Sequence, residues 1–201
     1  MPSSSRARPQ RRGLIEDDGK SKQALVILDM ISCWTFPDAP ALAAAALKIA
    51  PVVGHLKQRC RTKGIPVVYA NDNSGQWRSD FKFVVKESLE SAGDGGEITR
   101  LLEPGPEDYF VLKPKHSAFF ATPLEILLDH LGTRQLIIAG VAGDQCIVNT
   151  AADARMRDFA VTVPSDGIAS LTPERNRRAL RQLTDALEVK VMEARAIRLA
   201  R

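Results

Sequence analysis

Asp29, Lys113 and Cys146 are a carboxylate, an amine and a thiol, each at or just beyond the end of a short apolar run: ALVILD, YFVLK and LIIAGVAGDQC. A carboxylate can take up and return a proton, an ammonium can steady a neighbouring anion, and an ionised thiol is a strong nucleophile. Brought together, the three groups suit acyl transfer from a small amide. Cys146 falls in the predicted first turn of a helix, where unpaired N–H groups and the positive end of the helix dipole favour an anion. The sequence therefore predicts a thiolate, with a pKa below the usual value of about 8.5. Asp29 would carry the thiol proton to the leaving nitrogen, and the backbone N–H groups of the 142–146 turn would form an oxyanion hole. Taken singly, each residue has a plainer reading, the cysteine as a small buried hydrophobe and the aspartate as a loop cap. Their shared position at strand ends favours chemistry.

The elements that must position them follow from hydrophobic periodicity. Strands are predicted at 24–29, 66–70, 109–112, 135–139, 160–164 and 189–192, each short, apolar and rich in β-branched residues. Between them lie predicted helices at 41–63, 123–131, 145–158 and 173–187. Thr122–Pro123 opens the second of these and Gly132 closes it, and Thr172–Pro173 repeats the opening signal. Strands apolar throughout are buried on both faces, and their alternation with helices implies a doubly wound α/β domain: a six-stranded, mainly parallel sheet with helices on both faces. In such a sheet ligands bind beyond the carboxyl ends of the strands, which is where the three reactive groups stand. The stretch 71–106 breaks the rhythm, with a helix predicted at 81–91, a GDGG break and a helical turn near 98–102. Excursions of this kind usually line a site.

Composition narrows the class. With 201 residues, 44% hydrophobic and 26% charged, the chain is sized for one globular domain. Six basic residues in the first 22, Arg6, Arg8, Arg11, Arg12, Lys20 and Lys22, face only Glu16, Asp17 and Asp18, so three of the four net positive charges lie there. Residues 1–22 are read as a disordered or draped basic tail and 23–201 as the single domain. The nearly neutral body leaves no electrostatic footprint for nucleic acid. No apolar run approaches the roughly 18 residues of a membrane span, and the first twelve residues lack the apolar stretch of a signal peptide, so a cytoplasmic location and no membrane partner are expected. Three cysteines, at 33, 60 and 146, make no disulfide framework and are expected to be reduced. G-V-A-G-D-Q-C spaces its two glycines wrongly for a dinucleotide-binding loop, so no cofactor is expected.

The stretches ALVILDM, VLKPKHSAFFATPLEILLDHLG and LIIAGVAGDQCIVNTAADA, in that order, resemble the isochorismatase-like cysteine hydrolase family from residue 23 to about residue 192. The resemblance implies a Rossmann-like fold, an oligomer (dimer or tetramer) and a triad of Asp29 as acid/base, Lys113 as cationic partner and Cys146 as nucleophile. The family spacing selects Lys113 over Lys115. It also implies a non-proline cis peptide before Ala142, whose N–H joins that of Cys146 in the oxyanion hole. The chain departs from the family pattern in two places. Met30-Ile31-Ser32-Cys33-Trp34 replaces the usual polar and acidic residues after the first motif, and Gly143 and Gln145 replace the usual Thr or Ala and a small apolar residue. The nicotinamidase branch carries an Asp-x-His…His metal site where this chain reads Asn71-Asp72-Asn73-Ser74. The histidines, His55, His116 and His130, form no ligand pair, so no metal is expected. His116-Ser117 lacks the G-x-S-x-G setting of a serine nucleophile and reads as a turn. Trp77 and Phe119 are the expected apolar pocket walls.

The expected function is cleavage of a C–N bond in a small amide or carbamoyl substrate through a Cys146 thioester. Two alternatives stand beside it: hydrolysis of an isochorismate-like vinyl ether with Asp29 as the acid, and a catalytically idle oligomeric scaffold.

Overall fold

The computed structural model describes residues 21–72 and 80–200. Most of the predicted tail and Trp77 lie outside the described residues. In chain order the elements are β1 (Gln23–Leu28), α1 (Ala39–Thr62), β2 (Val67–Asp72), α2 (Phe81–Glu90), α3 (Asp94–Leu102), β3 (Tyr109–Lys113), α4 (Leu124–His130), β4 (Gln135–Val141), a π-helical turn (Gly143–Ile147), α5 (Val148–Met156), β5 (Ala160–Pro164), β6 (Ile168–Ala169), α6 (Pro173–Asp185) and β7 (Lys190–Met192).

The sheet is parallel throughout, in the order β3-β2-β1-β4-β5-β7, with β6 paired to the end of β4. Seven strands form where six are predicted, because β6 is two residues long and carries no periodicity of its own. The strands read as unbroken apolar runs because alternate residues serve two cores. Ala24, Val26 and Leu28 of β1 face Leu124, Leu128, Ala151, Ala154 and Leu183 of α4, α5 and α6. Leu25 and Ile27 face Ala46, Val53 and Leu56 of α1 and Ile98 and Leu102 of α3. Among the described residues α1 is the one helix whose length and composition would suit a membrane span, but here its apolar side lies on the sheet. From β1 the chain winds outward through β2 to β3, then returns to place β4 against the other side of β1. Strand order therefore reverses between β1 and β4, and a crevice opens above their carboxyl ends.

Two helices differ from expectation for local reasons. The stretch GDGG reads as a break, yet Gly95 and Gly96 lie inside α3, and Gly93, at φ 75°, stands before it as the N-cap. A Cβ on Gly95 would stand 2.7 Å from Trp34 Cδ1, and one on Gly96 would stand 2.5 Å from the Ser91 carbonyl oxygen. Close packing, not chain reversal, is what these glycines serve. The helix predicted at 145–158 begins earlier, as a π-helical turn, because the Ala142 carbonyl accepts from the N–H groups of both Gln145 and Ile147 at 3.1 Å. The predicted cap of α6 and the Gly132 stop recur, while α4 starts one residue later than predicted, with Pro123 at its N-cap. Thr172 accepts from Arg175 N–H at 3.2 Å, Thr122 Oγ1 accepts from Leu124 N–H at 3.2 Å, and Gly132 ends α4 at φ 70°.

Gly140 is where β1 and β4 meet most closely. It adopts φ 114°, and a Cβ there would lie 2.2 Å from the Leu28 carbonyl oxygen. Both objections are to backbone and neither relaxes easily. Gly140→Ala is expected to destabilise the fold by about 3 kcal/mol, read as a lowered urea midpoint; an unchanged midpoint would contradict this account of the β1–β4 junction.

Candidate active site

Asp29 follows β1 directly and takes a left-handed conformation, φ 52°, which aspartate tolerates better than most residues. Its N–H donates to the Ala70 carbonyl at 3.1 Å, and its Oδ1 accepts from Asp72 N–H at 2.8 Å. The carboxylate is thus held by the end of β2 as well as by β1. Lys113, the last residue of β3, lies on the far side of β2 and reaches across to the same point. Its side chain is 0% exposed, and its Nζ stands 2.8 Å from Asp29 Oδ2, 3.4 Å from Cys146 Sγ and 3.3 Å from the Lys115 carbonyl oxygen. An ammonium has three N–H donors, and here each has a partner. A buried cation is costly unless it is paired in this way. Cys146, 8% exposed, sits in the π-helical turn after β4. The Val141–Ala142 peptide bond before that turn is cis, the feature implied for this position.

Charge on these groups is set by burial and by one another. Burial raises the Asp29 carboxyl above its ordinary value, and the adjacent Lys113 ammonium opposes that rise. For Lys113 burial works against the charged form, but the Asp29 carboxylate and the sulfur outweigh it and the amine is held more firmly protonated than usual. Burial, reinforced by the Asp29 carboxylate, pushes the Cys146 thiol up to about 12. The predicted resting thiolate is therefore corrected. The sequence placed the cysteine at a helix start beside a cation, but the fold also buries it and sets a carboxylate against it. Burial and the Asp29 carboxylate thus both oppose ionisation of the thiol, and the Lys113 ammonium only partly offsets them.

Above these groups opens a cavity of about 560 Å³, with Asp29, Ala142 and Cys146 in its lining. Trp34, Phe36 and Phe83 supply its apolar walls, and the end of β2 and α2 contribute Asn71, Asp72 and Glu87, so the irregular stretch after β2 does line the site. Phe119 does not. The Ser117 hydroxyl donates to Asp153, and Ala118 N–H donates to Thr150 Oγ1 at 3.0 Å. These bonds fasten the segment to α5 and turn Phe119 into the core, 5.8 Å from the Phe159 ring and under the Arg157 guanidinium at 5.0 Å.

The altered loop after Asp29 is held by other means than the expected polar pair. Asn71 Nδ2 donates to the Ile31 carbonyl at 2.6 Å, the buried Ser88 hydroxyl of α2 donates to the Ser32 carbonyl at 2.8 Å, and Trp34 N–H closes on Ser32 Oγ at 3.1 Å. Gly143 has a comparable explanation. A Cβ there would lie 2.7 Å from Asn176 Oδ1 and 2.8 Å from Ser170 Oγ, so the glycine admits these two side chains beneath the turn that carries Cys146. His116, read from the sequence as part of a turn, has its Nδ1 3.7 Å from Cys146 Sγ and lines the cavity. Only its closeness in sequence to Lys113 could have signalled this. Among the described residues no group of three or more His, Cys, Asp or Glu side chains is arranged to hold a metal ion.

A family model described as "Isochorismatase domain" matches residues 23–196. The uncharacterized isochorismatase family protein YaaI of Bacillus subtilis is 39% identical over 168 residues, covering 84% of this chain and 92% of that protein. N-carbamoylsarcosine amidase of Arthrobacter is 25% identical over 162 residues, covering 76% of this chain and 61% of that protein. Among solved structures, an isochorismatase family protein from Desulfovibrio vulgaris superposes with a TM-score of 0.71 at 27% identity, covering 87% of this chain and 95% of that one.

The site's electrostatics can be read by peptide-resolved iodoacetamide labelling. Because the thiol is raised, labelling of Cys146 is expected to keep climbing through pH 9 without a plateau near neutrality. Asp29→Asn removes a charge that opposes ionisation and leaves the Lys113 ammonium, so the profile should move to lower pH, with labelling at pH 7 at least about tenfold faster. A profile that stays in place or moves upward would contradict the assigned balance.

Proposed function

The chain belongs to the isochorismatase family of hydrolases, and from that premise we propose that it cleaves the C–N bond of a small amide or carbamoyl compound through a thioester on Cys146. One observation carries the reading: a fully buried ammonium, Lys113, stands 2.8 Å from Asp29 and 3.4 Å from Cys146 at the edge of an open cavity. The amidase among its relatives supports the same bond type.

The substrate carbonyl enters above Cys146 with its oxygen toward the N–H groups of Ala142 and Cys146. As the sulfur approaches the carbonyl carbon, the thiol proton passes to Asp29, and the anion that develops on oxygen is met by the two N–H donors. Lys113 keeps its proton throughout. Its charge offsets that of the thiolate while Asp29 is protonated, and that of the carboxylate when it is not, so the buried site never holds an uncompensated anion. Asp29 then gives its proton to the leaving nitrogen, the C–N bond breaks, and ammonia or an amine departs from the thioester. Water cleaves the thioester and frees the enzyme. This cycle accommodates a resting thiol, because ionisation is needed only when a carbonyl is present to receive the sulfur.

Ammonia release measured over a panel of small amides, ureides and carbamoyl compounds is expected to identify at least one substrate. On that substrate Cys146→Ala should lose at least about 10⁴-fold in kcat while keeping its fold. Full activity in that variant would instead favour ether cleavage with Asp29 as the acid, since that route needs no thiol.

A further inference from the structure

Thioester chemistry needs two separate proton transfers: one to the departing nitrogen, and one from the water that arrives after it has left. Asp29 is well placed for the first. Both of its oxygens are already engaged, Oδ1 by Asp72 N–H at 2.8 Å and Oδ2 by Lys113 Nζ at 2.8 Å, and only 17% of its side chain is exposed. His116 occupies the other position. It is an exposed residue in the cavity lining, with Nδ1 3.7 Å from Cys146 Sγ.

The chain holds it there from both sides. Upstream, Lys113 Nζ donates to the Lys115 carbonyl at 3.3 Å and bends the segment around the buried ammonium. Downstream, Ser117 is bonded to Asp153, and Ala118 N–H to Thr150 Oγ1 at 3.0 Å. Residue 116 is thus suspended between the triad lysine and α5, the helix that continues from the cysteine's own turn. These neighbours fix the backbone on both sides of the histidine, and its Nδ1 stands 3.7 Å from the reacting sulfur at the cavity wall.

Building on the thioester reading above, we propose that His116 is a further catalytic residue, the base that activates water to hydrolyse the acyl-enzyme. Neutral imidazole accepts a proton at Nδ1 as the water oxygen bonds to the thioester carbon. The tetrahedral intermediate then breaks its C–S bond, the electron pair returns to Sγ, and Nδ1 hands the proton to the sulfur. Thiol and neutral imidazole are both regenerated, and the acid product leaves its remaining proton to solvent. Imidazole is suited to this work because one ring nitrogen can take up a proton with its lone pair and give it back within the same cycle.

Acylation and hydrolysis can be separated with p-nitrophenyl acetate, whose leaving group departs without a proton. Mass spectrometry of the peptide containing Cys146 reports the acetyl group directly. The expected result for His116→Gln is a fall of about 100-fold in loss of acetyl from Cys146, with acetylation slowed less than tenfold, so the acetyl-enzyme accumulates. Hydroxylamine, a nucleophile that needs no base, should then release the acetyl group from the variant and form the hydroxamate. Acetyl loss slowed less than tenfold, an equal slowing of both steps, or a thioester that hydroxylamine cannot reach would each overturn the role of His116. Wild-type enzyme that is never acetylated at Cys146 would overturn the thioester reading itself, and this proposal with it.

Discussion

The Lys113 ammonium, 0% exposed, is the interaction on which the rest of the site depends. A cation out of water is tolerated only where anions and dipoles replace its hydration, and here one carboxylate oxygen, one sulfur and one carbonyl oxygen do so. Each comes from a different part of the chain. Losing one would leave a buried charge short of a partner, so the carboxylate and the sulfur are fixed by the same constraint that fixes the lysine. The contacts that serve the chemistry are therefore also the ones that partner the buried ammonium. Lys113 can make them only because β3, β2 and β1 lie side by side in register, Asp72 opposite Lys113 and Leu28 opposite Ala70.

Irregular backbone gathers around that cation. Asp29 is left-handed, Gly140 sits at φ 114° against Leu28, and the helix after β4 starts with a π-helical turn. Each is locally costly and is enforced by its surroundings, as is usual where side chains must converge on a reacting atom. The loop after Asp29 belongs to the same pattern. Held by Asn71 and by Ser88 of α2, it brings Trp34 and Phe36 to the cavity wall. An excursion that breaks the α/β rhythm thus becomes the element that shapes the pocket.

Much of this was legible in the residue order. Strands buried on both faces announce themselves as unbroken apolar runs, and the strand-end positions of Asp29, Lys113 and Cys146 pointed to the carboxyl edge of the sheet. What escaped the sequence depended on long-range contact. β6 exists only because two residues happen to lie beside the end of β4. The glycines of α3 look like breakers until Trp34 and Ser91 are seen against them. Phe119 and Trp34 are both large aromatics near motif residues, and only the bonds from Ser117 and Ala118 to α5 send the former inward. The ionisation of Cys146 was misread for the same reason: a helix start and a nearby lysine are visible in sequence, whereas burial and the opposing Asp29 carboxylate belong to the assembled site. His116 meets the sulfur across 30 residues of sequence, and its nearness to Lys113 in the chain was the one hint of that contact.

The central claim is that in the resting protein the proton sits on sulfur while the charge is shared by Asp29 and Lys113. Infrared difference spectroscopy between the wild-type protein and Cys146→Ala at pH 7 tests it without any substrate. The account predicts an S–H stretching band that is present in the wild type and lost in the variant. Absence of that band from the wild-type spectrum would mean a resting thiolate and would contradict the balance of burial and charge described for this site.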